Sequence, residues 1–275
     1  MSTLTEMLEA GVHFGHKKER SHPKAKDFIF TLREGIYVID LDKTKEGLKE
    51  AIDYMKRQIM VGKMILFVGT KRQVKDIIKA GAENLGMPYI VHRWPGGLLT
   101  NFETIRRSIN ELERLEAQTK SPEFEGFTKK EKKVISDKMA KLLRVFEGIR
   151  DMKRLPDAVF VFDAAKEELA IAESKRMGLP IIGVCDTDAD PEDIDYPIPA
   201  NDDAAKSIDM VTGEIFGSLK NIEISKPEEP KTQITLKEDA KEEKTPKESK
   251  VVKTDESTAK SEKATSKATS KTKNK

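Results

Sequence analysis

Two kinds of side chain in this sequence could take part in chemistry: histidines near its start and aspartates that follow apolar runs. His13 and His16 are three residues apart, a spacing that could bind a metal with carboxylates from elsewhere. Four aspartates stand just past predicted strand ends, where open α/β sheets place their active sites: Asp163, Asp186, Asp188 and Asp190. A metal-dependent phosphotransfer enzyme could use such carboxylates. The sequence contains no partnered nucleophile and no His-Glu-x-x-His pattern, so we predict no metal, no cofactor and no catalytic residue.

A second candidate is the turn Gly69-Thr-Lys-Arg72, which lies between a predicted strand and a predicted helix. Such a turn could bind a nucleotide, and a nucleotide- or metal-dependent α/β enzyme is the alternative function. The phosphate loop and the dinucleotide fingerprint each need further glycines that are missing here. Lys71 and Arg72, near a helix N-terminus, could equally contact an RNA phosphate.

The third candidate is the stretch Tyr89–Asn101. Tyr89-Ile-Val91 favours a short strand, and Arg93 then precedes Trp94, the only tryptophan of the chain. Pro95-Gly-Gly97 predicts a turn with exposed backbone, which suits an anion such as an RNA backbone. The alternative is a tight corner in which Trp94 anchors the core. Thr100 or Asn101 could cap the next helix, which carries Arg106 and Arg107 near its start.

A fourth candidate is the basic segment between Val12 and Lys26. Five cations lie within it: Lys17, Lys18, Arg20, Lys24 and Lys26. A mobile segment of this kind could lie on phosphates. A solvated loop between a helix and a strand is the alternative for any single lysine.

The composition restricts the class of protein. Of 275 residues, 50 are Lys or Arg and 48 are Asp or Glu, so the net charge is only +2. The end of the chain holds an excess of lysine, which leaves the rest about neutral, so any RNA contact must be a local patch. One cysteine, Cys185, allows no intramolecular disulfide and is predicted to be a buried apolar residue. No apolar run has the length of a membrane span and no signal sequence is present, so we expect a soluble cytosolic protein.

The elements that position these residues alternate along the chain. Continuous apolar runs at 64–68, 155–164 and 180–185 are typical of strands buried on both faces of a parallel sheet. Residues 28–41 are predicted to form a β-hairpin about Glu34-Gly35, and 43–61 an amphipathic helix. This alternation predicts a three-layer α/β sandwich with a mostly parallel sheet.

Two long helices interrupt that pattern. Apolar residues recur at threes and fours on both sides of a break at 121–126, which predicts an antiparallel helical hairpin at about 99–154. The hairpin would be an insertion in an α/β body of residues 1–225. Its lysine-rich outer face is either a solvated surface or, as we prefer, a docking arm. Residues 226–275 have almost no apolar side chains and should be disordered.

Three stretches resemble the bacterial family of the second protein of the small ribosomal subunit. They are Leu8-Glu-Ala-Gly-Val-His-Phe-Gly-His16, His92-Arg-Trp-Pro-Gly-Gly-Leu-Leu-Thr-Asn101 and the span Pro156–Pro180, which includes Asp157 and Glu173. Pro95 departs from the family, which usually has an apolar residue there. The resemblance implies a five-stranded flavodoxin-like sheet with a coiled-coil hairpin.

The resemblance also implies a structural constituent of the ribosome that supports translation without catalysis. Its expected partners are small-subunit rRNA and neighbouring ribosomal proteins, including the large mRNA-binding protein S-one, with no membrane and no homo-oligomer. The residues that we predict to bind RNA, through phosphate contacts and shape, are Lys17, Lys18, Arg20, Lys24, Lys26, Lys71, Arg72, Arg93, Arg106 and Arg107.

Overall fold

The computed structural model describes residues 2–220 and 222; the tail predicted at 226–275 lies outside the described residues. Seven α-helices and eight strands occur within the described part, besides short 3-10 turns. In chain order they are α1 (Leu4–Glu9), β1 (Phe14–Lys17), β2 (Ile29–Arg33), β3 (Ile36–Ile39), α2 (Leu41–Met60), β4 (Ile65–Val68), α3 (Lys75–Leu85), β5 (Tyr89–Ile90), α4 (Phe102–Thr119), α5 (Lys129–Phe146), β6 (Ala158–Phe162), α6 (Glu168–Arg176), β7 (Ile181–Cys185), β8 (Tyr196–Pro199) and α7 (Ala205–Leu219).

Five strands form one parallel sheet in the order β5-β4-β6-β7-β8. The three strands predicted from continuous apolar runs, β4, β6 and β7, are its centre, and every residue in them is buried. Both faces of a central parallel strand need apolar side chains because helices cover both faces. The prediction of an α/β protein with a mostly parallel sheet is confirmed.

A separate hydrophobic cluster lies on each face of this sheet. Phe67 and Phe160 belong to the cluster that also contains buried residues of α1, α2, α3 and α7. Leu66 and Val159, one position away, belong to the cluster with α4 and α6. Successive side chains of a strand point to opposite faces, so each central strand contributes to both clusters.

The first three strands form a small antiparallel sheet in the order β1-β3-β2. The predicted hairpin of β2 and β3 is confirmed. Its turn residues Glu34 and Gly35 both have positive φ, 51° and 79°, as a two-residue hairpin turn requires. The strand β1, by contrast, lies within the segment that the sequence suggested was a mobile or solvated loop. Its four residues show no clear alternation of apolar and polar side chains, and β1 pairs with β3 alone.

The two helices predicted at about 99–154 are α4 and α5, which lie between β5 and β6 in the chain and pack against each other. Ile105, Ile109, Leu112 and Leu115 of α4 are buried, and Thr128 begins α5 with a capping box. The base of α5 continues into a short turn at Glu147–Ile149 that packs on β5. A coiled-coil geometry for this pair stays a prediction.

Candidate nucleic-acid interface

The carboxyl ends of the five parallel strands meet at one edge of the large sheet, and the residues just beyond them form the candidate site. β5 and β4 are neighbours at one side of the sheet, and Arg93 and Lys71 follow them. β6, β7 and β8 are followed by Asp163, Asp186 and Asp202. One side of this edge therefore carries cations, and the other carries carboxylates.

Lys71 reaches from the cationic side into the acidic side. Its Nζ lies 2.6 Å from a carboxylate oxygen of Asp203, 2.8 Å from Asp202 and 3.3 Å from Asp163. Its side chain is only 13% exposed. Burial lowers the pKa of Lys71, but hydrogen bonds to Asp202 and Asp203 outweigh burial and raise the pKa above its ordinary value. The charge of Lys71 is therefore already balanced within the protein.

Asp202 is one of the three carboxylates that surround Lys71. Its side chain is 3% exposed, and burial together with the nearby carboxylates of Asp163 and Asp186 raises its pKa although Lys71 opposes the change. The ammonium group of Lys71 thus offsets part of the cost of burying the Asp202 carboxylate beside two others.

His16 is a second cation in the same network. Its Nδ1 lies 3.2 Å from Asp186, and its Nε2 lies 3.5 Å from Asp203 and 3.7 Å from Asp188. Nδ1 and Asp186 lack good hydrogen-bond alignment, so their attraction is mainly that of an ion pair. The contact with Asp186 raises the pKa of His16 to about 9, against burial, which lowers it. His16 is therefore charged at neutral pH.

The basic N-terminal segment is attached to the sheet edge at Thr187, just beyond β7. The backbone N–H of His16 donates to Thr187 Oγ1 at 2.8 Å, and that of His22 donates to the Thr187 carbonyl at 2.8 Å. Gly15 is needed there, because an added Cβ would lie 2.6 Å from Thr187 Cγ2. The cations that follow His16 are consequently held near the carboxyl ends of the strands.

The ten residues predicted to bind RNA separate into two groups. Lys24 pairs with Asp190 at 2.9 Å and Glu192 at 2.6 Å, and Arg107 pairs with Glu103 at 2.7 Å. Arg106 donates to the Arg150 carbonyl at 2.9 Å, and Lys71 is held as described. The remaining six are exposed and form no ion pair within 4.0 Å among residues 2–220 and 222; we call them the exposed cation set: Lys17, Lys18, Arg20, Lys26, Arg72 and Arg93.

The glycine turn after β5 does bind an anion, but this anion is a carboxylate of the protein. Glu173 of α6 accepts hydrogen bonds from Trp94 Nε1 and from the backbone N–H groups of Gly97, Leu99 and Thr100. Trp94 is buried in the core, as the alternative interpretation of the turn predicted. Neither Thr100 nor Asn101 caps α4 through its side chain, because Thr100 is turned toward Glu173 and Asn101 makes no capping bond.

The sequence placed Asp163 just past a strand end but did not predict the ion pair that it forms with Lys71, and it predicted neither the ion pair of Asp202 nor the hydrogen bonds of Glu173. Their partners are 73 to 131 residues away in the chain, so no local pattern could have shown these contacts. His13 does not join the His16 network, and no group of three or more His, Cys, Asp or Glu within the described residues is arranged to hold a metal ion. Cys185 is buried, as predicted.

A different surface lies between α1 and the small sheet, and we call it the N-terminal apolar surface. Phe30 is 73% exposed, Leu8 58% and Phe14 51%. Two adjoining grooves, of about 410 and 510 Å³, share Leu8, Phe30, His13 and Val38 as walls. Exposed apolar side chains that cluster in this way are typical of protein–protein contact sites.

The described part of the chain, residues 2–220 and 222, contains no helix that is both long enough and apolar enough to span a bilayer. Fold and site together define a class of protein: an α/β protein with a five-stranded parallel sheet. Where such a sheet could bind a ligand, at the carboxyl ends of its strands, this protein has ion pairs between its own side chains.

Comparison with known proteins gives the family. Residues 7–221 match the family described as ribosomal protein S2, and the chain belongs to this family. It is 46% identical over 219 residues to the small ribosomal subunit protein uS2 of Helicobacter hepaticus, covering 80% of this chain and 83% of the relative. It is 47% identical over 217 residues to that of Coprothermobacter proteolyticus, covering 79% and 81%. For that of Dehalococcoides mccartyi the identity is 44% over 218 residues, covering 79% and 89%.

Family membership confirms the resemblance noted in the sequence. The chain is a structural, non-enzymatic protein of the small ribosomal subunit, a ribonucleoprotein component that takes part in translation on cytoplasmic ribosomes. The alternative of a nucleotide- or metal-dependent enzyme does not hold for a member of this family.

Proposed function

We propose that this chain binds folded small-subunit rRNA through the exposed cation set. The observation that carries the proposal is that six cations are exposed on a body whose overall charge is close to neutral. An exposed lysine or arginine without a carboxylate partner can exchange counterions for phosphates, whereas a paired one must first break its ion pair. Recognition would rest on phosphates and on RNA shape.

We propose that the four other predicted residues also contact RNA but contribute less to binding: Lys24, Lys71, Arg106 and Arg107. Each already donates to an oxygen of the protein. Lys71 contributes least, because moving it to a phosphate would leave buried carboxylates without a cation.

The finer fold assignment is part of the same proposal. We assign residues 1–225 to a three-layer flavodoxin-like body with the helical hairpin inserted at about 99–154. The parallel order β5-β4-β6-β7-β8 supports it, since numbering these strands in sequence gives 2-1-3-4-5, the flavodoxin-like order. The hydrophobic clusters on both faces of the sheet support the three layers.

The test is the salt dependence of rRNA binding. In the variant Lys17→Ala/Lys18→Ala/Arg20→Ala, the slope of log K against log salt should fall by about 2 to 3, because each phosphate contact contributes about 0.7 to 0.9. The matched control is Lys45→Ala/Lys49→Ala/Arg57→Ala, which removes the same charges from the exposed side of α2.

The two variants have equal net charge, so a general electrostatic effect would weaken both equally. The proposal requires the control to keep the wild-type slope. Equal slopes for the wild type and the N-terminal variant would exclude this cluster as a contact, and absence of rRNA binding by the wild type would overturn the proposal as a whole.

For neighbouring ribosomal proteins, among them S-one, we propose attachment at the N-terminal apolar surface. Apolar side chains cannot neutralise phosphates, so this surface suits a protein rather than RNA. The lysine-rich α5 of the hairpin is the second proposed docking element.

Capture of purified S-one by the full chain tests the first of these surfaces. Phe14→Ser/Phe30→Ser should abolish capture, and Met60→Ser/Val61→Ser should not, although Met60 and Val61 are also exposed, by 50% and 60%. Capture that survives in the phenylalanine variant but is lost in Lys133→Glu/Lys141→Glu would move the docking site to the hairpin. A wild-type dimer that the phenylalanine variant abolishes would mean that a second copy covers the surface, and would overturn the expectation of no homo-oligomer.

A further inference from the structure

Glu173 is an unusual residue for the position it occupies. It lies in the middle of α6, is 6% exposed, and carries a carboxylate into the protein interior. Oε1 accepts from Trp94 Nε1 at 3.0 Å and from the Gly97 N–H at 2.7 Å. Oε2 accepts from the Leu99 N–H at 3.0 Å and from the N–H and hydroxyl of Thr100 at 3.2 Å each. Five donors of one loop thus converge on one side chain.

The chemistry of this arrangement requires an ionised carboxylate. Burial raises the pKa of Glu173, but the hydrogen bonds from Trp94, Gly97, Leu99 and Thr100 lower it more, so the pKa lies below its ordinary value. A glutamine would offer one acceptor oxygen in place of two, and its NH₂ group would face donors. At least two loop donors would then lose their partner in a buried place.

The loop so held connects two parts of the candidate interface. It begins directly after Arg93, a member of the exposed cation set, and ends where α4 begins. Gly97 has a φ of +84°, a backbone conformation that glycine adopts at little cost. Because glycine can adopt many other conformations as well, contacts elsewhere in the protein must select this one. Two backbone turn bonds, from the Leu98 N–H to the Pro95 carbonyl and from the Asn101 N–H to the Gly97 carbonyl, hold part of this loop, and the bonds to Glu173 satisfy its other inward-facing N–H groups.

We propose that Glu173 is a positioning residue for RNA binding: it fixes the loop at 94–100 and thereby presents Arg93 at the carboxyl edge of the sheet. The inference rests on the proposed rRNA-binding function. Glu173 itself does not contact RNA, since its oxygens are occupied by the loop.

The sign of the effect distinguishes positioning from simple electrostatics. Glu173→Gln removes a negative charge, and general electrostatics predicts equal or tighter RNA binding. Positioning predicts the reverse: affinity about fivefold to tenfold weaker, and a salt slope smaller by about 1, because one phosphate contact is lost. Glu168→Gln, an exposed change of the same charge on the same helix, should leave affinity and slope as in the wild type.

A double-mutant cycle separates this role from a general loss of structure. In the Arg93→Ala background, Glu173→Gln should weaken binding less than about twofold, because the contact that it positions is already absent. A general destabilisation would instead weaken binding by the same factor in both backgrounds. Trp94 is the only tryptophan and is buried, so its emission reports the loop directly and should shift to longer wavelength in Glu173→Gln.

If the Glu173→Gln variant does not fold, the same measurements are made on Thr100→Val. This change removes one of the five donors and keeps the side-chain shape, and about twofold weaker binding is expected. Unchanged or tighter binding in Glu173→Gln with unchanged Trp94 emission would overturn the inference, as would a loss of affinity that persists undiminished with Arg93→Ala. Absence of rRNA binding by the wild type would contradict the proposed function. A shift of Trp94 emission in Glu173→Gln would still show that Glu173 fixes the conformation of the loop.

Discussion

Replacement of Lys71 by methionine should destabilise the protein strongly and in a pH-dependent way. Methionine keeps much of the length and apolar character of the lysine stem but removes the ammonium group. That group is within 3.3 Å of three carboxylates: Asp163, Asp202 and Asp203. Asp203 is 60% exposed and can turn into water, but Asp163 and Asp202 are 8% and 3% exposed and cannot.

The magnitude follows from the energy needed to neutralise the carboxylates that remain. A buried carboxylate without a cation takes up a proton, and protonating a group of ordinary pKa 3.9 at pH 7 costs about 4 kcal/mol. This sets the ceiling per carboxylate, and breaking a buried pair by removing one partner typically costs about 3 to 5 kcal/mol. We therefore expect the free energy of unfolding to fall by about 3 to 5 kcal/mol at pH 7.

The pH dependence has a definite sign. The pKa of Asp202 is already raised to about 7 in the wild type, so the additional proton of the variant is one on Asp163. Between about pH 4 and 7 the folded variant then binds one proton more than the folded wild type, so its stability rises relative to the wild type by about 1.4 kcal/mol for each unit of acidification. Urea unfolding at pH 7 and pH 5 measures this. Arg72→Met, which removes an exposed cation from the next position, is the matched control and should cost less than about 0.5 kcal/mol.

Two results would refute this reasoning. A loss below about 1 kcal/mol at pH 7 would mean that the buried carboxylates do not depend on Lys71. A large loss that is equal at pH 7 and pH 5 would mean that the cost is one of packing and not of charge.

Two further predictions concern other parts of the same body. Raising the pH from 6.5 to 9 should lower the wild-type free energy of unfolding by roughly 2 to 3 kcal/mol, because the pKa of His16 is about 9 in the folded state and 6.5 when unfolded. Urea unfolding at a series of pH values checks this, and His16→Gln should not show the fall. Gly148→Ala should cost more than about 2 kcal/mol in thermal unfolding, because its Cβ would lie 2.2 Å from the Tyr89 carbonyl oxygen. Gly213→Ala, with open space in the interior of α7, should instead stabilise by about 0.5 to 1 kcal/mol, and equal effects at the two glycines would contradict the packing argument.

The fold was predictable from the sequence where the decisive signal is local. The apolar runs at 64–68 and 180–185 and the three-to-four spacing of α4 identify their elements without knowledge of any distant residue. The Glu34-Gly35 turn was predictable for the same reason. β1 was missed because a short edge strand needs pairing partners rather than a pattern of its own.

The site was only partly predictable, because its main interactions join distant parts of the chain. The sequence identified Lys71 as a cation near a helix start, but not that Asp202, 131 residues later, would neutralise it. It identified the glycine turn as suited to an anion, but not that Glu173 would be the anion. Charge type can be read from a sequence, whereas the pairing of charges requires the three-dimensional arrangement.

The contacts of His16 have a consequence for the life of the nascent chain. His16 leaves the translating ribosome early, but its partners Asp186 and Asp203 are made some 170 and 190 residues later. During most of synthesis, the lysines beside His16 therefore have at most the pairing of β1 with β3 and lack their contacts with the large sheet. At typical elongation speeds of about 5 to 20 residues per second, that interval lasts roughly ten to forty seconds. The complete RNA-binding surface can therefore form only after residues 186–203 have been made and have packed against His16, and not when the basic segment first leaves the ribosome.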